Sequence, residues 1–191
     1  MKFISFLFYV KIFLEICYNK KEESKMIINV SNKTISEKEL ELLDKTNPYN
    51  VVGAFVQVIN DYKPNNSDEF YRKLQILLGK YQPISAVMNQ NIKDRMMQNN
   101  KYSYIGASYY IGASPDNNYT PQEPLQIEIK ENPYTDSQDG YKKLFLKSGG
   151  ADTERGITLR LAKDGNYYIW SDTFMGLLSD IREKASDNPW V

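Results

Sequence analysis

The stretch from Tyr141 to Trp170, "YKKLFLKSGGADTERGITLRLAKDGNYYIW", decides the fold. It holds three runs with strand character, "YKKLFLK", "GITLRLAK" and "NYYIW", separated by two turn signals. Asp164-Gly165 is the stronger signal. Asp-Gly between apolar runs favours a type I′ hairpin, with Leu159 and Ile169 paired across it. Gly149-Gly150 gives the chain freedom to turn between the first two runs. The same loop invites comparison with a phosphate cradle, but a Walker loop closes on glycine, lysine and a hydroxyl residue. Here Thr153, Glu154 and Arg155 follow, and Asp152 and Glu154 would repel a phosphate. The loop reads as a bend, pinned by Asp152 reaching Arg155 or its own amides.

Upstream, "LQIEIK" alternates, with Leu125, Ile127 and Ile129 on one face of a half-buried strand. "SYIGASYYIGAS" repeats Tyr-Ile-Gly-Ala-Ser once, too few copies for a solenoid. It reads as one strand or two short extended pieces, the glycines permitting a bulge or close backbone approach. "SPDNNYTPQEP" and "NPYTDSQDG" are loops.

Before residue 100 the period is helical. "MIINV" is a short strand. Ser36 and Glu39 form a capping box opening a helix to about Lys45. Pro48 suits a first turn, and Val51, Val52, Phe55, Val58, Ile59 and Tyr62 then recur at helical spacing. Ser67 caps a third helix with Asp68 and Glu69 at its positive end, and Gly79 stops it. Ser85 caps a fourth, whose Met88, Ile92 and Met96 form a core stripe. "TFMGLLSDIREK" near the end is a short helix or a coil over the core. Helices first and strands later define an α+β protein, N-terminal helices packed on a C-terminal curved antiparallel sheet.

The 191 residues suffice for one domain with a real core, and 15 tyrosines argue for a packed globule. Lys and Arg total 24 against 24 for Asp and Glu, so no excess positive charge attracts nucleic acid. The absence of histidine removes Ser-His-Asp and Cys-His catalysis and His-based zinc. Cys17 is the sole cysteine, so there is no intrachain disulfide or thiolate cluster. A calcium loop with Gly140 sixth would place Thr135 first, Ser137 third and Leu146 twelfth, and fails for lack of ligands. Asp136, Asp139, Asp152 and Glu154 sit in turns, where acids are common without catalysis. No cofactor or metal is expected.

Residues 1–25 read as an extension outside a domain spanning 26–191. The apolar run Phe3–Tyr18 is short for a membrane span and carries Lys11 and Glu15. Three readings stay open: translation from Met26, a signal or anchor, or an amphipathic interaction helix. The location follows: cytoplasmic, or membrane-anchored or secreted through residues 1–25.

From Met26 onward the chain resembles an uncharacterised bacterial family of small, cytoplasmic-looking proteins. The segments that carry the resemblance are "YIGASYYIGASPDNNYTP", "ENPY", "GYKKLFLKSGGADTERGITLR", "YYIW" and "DIREKASDNPW". That family's loop reads Gly-Ala-Asp-Ser-Pro-Arg-Pro. Thr153-Glu154-Arg155-Gly156 here keeps the arginine and loses both prolines, which implies a less rigid loop. The resemblance supplies no activity. Helices followed by a curved antiparallel sheet are also similar, at fold level only, to NTF2-like proteins.

The expected function is that of a non-enzymatic interaction or accessory domain, with a protein partner or a second copy of itself. The alternative is an NTF2-like pocket that binds or acts on a small molecule through Tyr, Asp and Arg. Candidate surface residues are Tyr104, Tyr109, Tyr110, Tyr119, Asp152, Arg155 and Arg160. Aromatics and arginine are enriched at interfaces. Core packing is the competing reading for the tyrosines. A filled sheet concavity would favour the interaction domain, and a deep pocket with converging buried ionisable groups the alternative.

Overall fold

The computed structural model describes residues 24–190. Strand β1 (Lys25–Asn29) is followed by helices α1 (Glu37–Glu41), α2 (Pro48–Ile59), α3 (Asp68–Leu78) and α4 (Ala86–Met97). Strands β2 (Gln126–Lys130), β3 (Tyr141–Leu146), β4 (Arg155–Leu161) and β5 (Tyr167–Ile169) come after them. The five strands form one curved sheet in the order β1-β2-β3-β4-β5, every neighbouring pair antiparallel. This is an α+β fold with its helices mostly N-terminal.

Side chains alternate across each strand, so one face of the sheet is apolar and fully buried. Ile127 and Ile129, Leu144 and Leu146, Ile157 and Leu159, and Ile169 all lie there. Helix α2 packs against the edge strands β1 and β5. Asn47 caps it by accepting from the Tyr49 amide, Pro48 starts it, and every residue from Val51 to Ile59 is buried. A helix apolar all round belongs in the interior. Phe55 meets Phe174 edge-to-face at 5.2 Å, linking α2 to the 3₁₀ turns of Thr173–Leu178.

Several sequence expectations hold. The Ser36–Glu39 capping box is formed. Ser85 accepts from Met88, and Ile92 and Met96 are buried. Gly79 ends α3 at φ +75°. Leu159 opposes Ile169.

Others are corrected. Helix α1 ends at Glu41, not near Lys45, because Asp44 turns the chain by accepting from the Thr46 amide and hydroxyl. Ser67 makes no side-chain cap. Its ψ of −1° is already helical, which turns the hydroxyl away from the first-turn amides. The Asp164-Gly165 turn is not type I′. Gly165 alone has positive φ, at +82°, and its amide donates to the Ala162 carbonyl at 3.0 Å. That is a type I turn followed by a left-handed glycine, and Ala162 also pairs with Asn166.

The largest correction is "SYIGASYYIGAS". It follows a 3₁₀ turn that ends at Ser103, forms another at Ala107–Tyr109, and pairs with the sheet through the isolated bridge Tyr110–Ile127. In a strand, Tyr109 and Tyr110 would face opposite sides. Turns carry both inward, and each hydroxyl reaches a backbone carbonyl of another segment: Tyr109 to Leu177 at 2.7 Å, Tyr110 to Lys33 at 3.0 Å.

Lys25 already pairs with Lys130 in the sheet, and the Glu131 amide donates to the Ser24 carbonyl at 2.8 Å. The three readings of the N-terminal extension concern residues that, from 1 to 23, lie outside those described. Among the described residues no helix is long and apolar enough to cross a membrane.

Candidate interaction site

The glycine loop after β3 is a knot. Ser148 is buried, its hydroxyl donates to Ser108 Oγ at 2.8 Å, and the Gly150 amide donates back to Ser148 Oγ at 3.1 Å. The Gly149 amide donates to the Ser108 carbonyl at 2.9 Å, and Ala151 to the Ser148 carbonyl at 3.3 Å. A phosphate cradle depends on free amides, and these three are spent on the protein itself. The Tyr119 hydroxyl donates to the Arg182 carbonyl at 2.6 Å, and the Arg182 amide returns a bond to the Gly150 carbonyl at 2.9 Å. The loop, the tyrosine repeat and the C-terminal tail are thus tied together.

The expected Asp152–Arg155 contact does not form. Asp152 pairs with Arg182 at 2.6 Å, and both side chains are more than half exposed. Arg155 bonds Thr153 Oγ1 at 2.9 Å and the Asp180 carbonyl at 3.2 Å. The chain bends at Asp152 and Thr153 before β4 begins, and the tail supplies the partners both side chains take.

Tyr104, Tyr109, Tyr110 and Tyr119 do not line a surface. All four are buried, so of the two readings they take the core one. Tyr104 stacks on Tyr119 with centroids 5.1 Å apart and planes 5° from parallel, and Lys184 lies 5.7 Å from the Tyr104 ring. Burial pushes the Tyr104 phenol up to about 12, and those of Tyr109, Tyr110 and Tyr119 higher still. All four stay protonated at neutral pH, and the last three donate to backbone carbonyls.

Arg160 is the candidate that remains on the outside. It opposes Tyr141 on β3 and Tyr168 on β5, so the three form a row across the outer face of the sheet. Trp170 follows Tyr168 on the same side. The Arg160 guanidinium lies 4.4 Å from the Trp170 ring centroid and 5.3 Å from that of Tyr141. The two rings meet edge-to-face at 5.6 Å.

This row ends in an open groove of about 1210 Å³ between the end of α3 and the β4–β5 hairpin. Gln75 and Gln82 build its rim. Gln75 Nε2 donates to the Gly79 carbonyl, and Gln82 joins Leu78 to Ile169 and Ser171. Lys45 lies over Tyr168 at 5.9 Å, and Lys80 over the exposed Tyr81 at 5.0 Å. With Lys163 and Arg160 these make four cations, and no ion pair engages any of them among the described residues. The groove's one carboxylate, Asp164, accepts from the Tyr168 hydroxyl and the Asn166 amide, both at 3.0 Å. Those bonds hold it below the usual carboxylate range, the Asn166 amide foremost. Sequence reasoning reached Arg160 and missed its setting. The signal was present: Tyr168 and Trp170 alternate with Ile169, which faces the core.

A smaller polar depression of about 510 Å³ gathers Glu39, Asp61, Glu69, Lys63 and Lys73. Lys73 is committed there to Asp61 at 2.8 Å and Glu69 at 2.5 Å. Among the described residues no three His, Cys, Asp or Glu side chains gather to hold a metal.

Fold and site define an α+β domain with helix α2 buried in its core and a cationic, aromatic groove. Residues 20–185 match the family described as a domain of unknown function (DUF6935), and the chain belongs to that family. No curated protein and no solved structure matches it, so no NTF2-like relationship is shown.

Proposed function

We propose that this protein is a non-enzymatic interaction domain and that the outer groove is its binding face. The observation that carries the reading is the set of four cations, Lys45, Lys80, Arg160 and Lys163, held at one groove without carboxylate partners among the described residues. Such charges steer and orient a complementary partner. The packing of α2 supports it, because every residue from Val51 to Ile59 is buried and presents no group to solvent. The buried tyrosines and the internally bonded glycine loop offer no reacting group. The cytoplasm is the proposed setting, on the family resemblance, and fractionation of the native cell tests it.

The test compares partners captured from the native cell by the protein and by a Lys80→Glu/Arg160→Glu/Lys163→Glu variant with an unchanged circular dichroism spectrum. Partners held by the native protein and lost by the variant support the groove. An identical set from both sinks it.

A further inference from the structure

We propose that the groove takes an extended, acidic segment of a partner protein, with Arg160 gripping a carboxylate. This rests on the groove being the binding face.

The Arg160 guanidinium is positioned but not consumed. Trp170 and Tyr141 hold it by ring contacts, and its N–H groups make no hydrogen bond among the described residues. Ring contact spends none of its N–H donors on hydrogen bonds, and those donors form a fork matching two carboxylate oxygens. Side-chain freedom is already reduced before a partner arrives, which lowers the cost of binding.

Four cations against one engaged carboxylate make the groove a site for several negative charges. Shape decides what carries them. Small-molecule sites run to about 300–1,000 Å³ and enclose most of their ligand. At about 1210 Å³ and open to solvent, this groove suits a chain laid along it. Tyr81 is 82% exposed and Leu161 42%, so apolar surface is offered between the cations for the methylenes and rings of a peptide. A nucleic acid would also bring negative charge. Its affinity depends on many phosphates neutralised over a wide surface, and this chain balances 24 positive residues with 24 negative.

The experiment uses the full chain and a fluorescently labelled octaglutamate peptide, read by anisotropy. Parallel arms use octalysine, oligothymidylate of eight nucleotides and inorganic phosphate as competitor. The expected result is saturable octaglutamate binding that weakens at least tenfold in Arg160→Ala and between 50 and 300 mM salt. Arg160→Lys, which keeps the charge and loses the fork, should weaken it nearly as much. The double variant Lys80→Ala/Lys163→Ala alters only exposed side chains and should weaken it at least fivefold, whereas Lys93→Ala on α4 should not. No saturation up to 1 mM peptide overturns the proposal, as does binding indifferent to Arg160 and Lys80/Lys163. Tighter binding of oligothymidylate, or displacement of the peptide by millimolar phosphate, overturns it in favour of a phosphate ligand. If octaglutamate fails while capture from the cell still depends on the groove, the acidic class is wrong and the binding face stands. If both fail, the binding face falls too.

Discussion

Gly149 lies so close to the carbonyl of Ala113 that a Cβ built on it would come within 1.7 Å of the Ala113 oxygen. Side chains can swing away from such a clash, but this obstacle is backbone, and Ala113 is buried with its amide bonded to the Tyr110 carbonyl at 3.2 Å. Gly149→Ala should therefore cost about 3 kcal/mol or more. Urea denaturation checks it, and a variant within about 1 kcal/mol of the native protein would show that the loop does not approach Ala113 as described.

Asp152 offers the opposite case within the same loop. Its pair with Arg182 is exposed, 86% and 57% by side chain. Exposed pairs contribute about 0 to 1 kcal/mol. Asp152→Ala should shift the melting temperature by no more than about 4 °C. Calorimetric titration with nucleotide, calcium or magnesium should give no heat that this substitution removes.

At Gly165 the constraint is torsional. A Cβ added there would meet nothing within 4 Å, yet φ is +82°. Gly165→Val should cost about 1 to 3 kcal/mol through that dihedral alone. Gly165→Asn should cost less, because asparagine tolerates the left-handed region. Equal losses for the two would point to contact rather than dihedral strain.

Lys73 carries the clearest pH signature. Burial by itself would lower its pKa, but the hydrogen bonds to Asp61 and Glu69 outweigh burial and raise it. Its contribution is fully present below the unfolded value of about 10.4 and is lost as pH rises through the higher folded value. Glu69 is lowered by its bond to Lys73, so its share is present above about pH 4.3 and is lost as pH falls through the folded value. Lys73→Met should cost about 3 to 5 kcal/mol at neutral pH by leaving Asp61 without its partner. Stability measured against pH should lose less at both extremes in the variant than in the native protein. A profile parallel to the native one would sink the assignment.

Much of the fold was legible in the chain because local patterns carried it. Ser36 with Glu39, Pro48, Ser85 and Gly79 marked helix ends through bonds made within a few residues. Ile127 and Ile129 alternated, and a two-residue period can bury only one face. The groove was only partly legible. Arg160 could be placed on the polar face of its strand, but Lys45 and Lys80 come to it from segments far away in the chain.

What the sequence by itself determined was the α+β class, most element positions and the chemistry the chain lacks, above all histidine. What only the tertiary structure decided was where each ambiguous polar or aromatic group went. Asp152 could have met Arg155, and instead the tail brought Arg182 nearer. Tyr109 and Tyr110 fit a strand by composition, and turns won because they bury both rings and give each hydroxyl a carbonyl at Leu177 and Lys33. A tyrosine's preference for a strand is weak beside the cost of a buried, unbonded hydroxyl, and the partner that removes that cost lies on another segment, outside any local window of sequence.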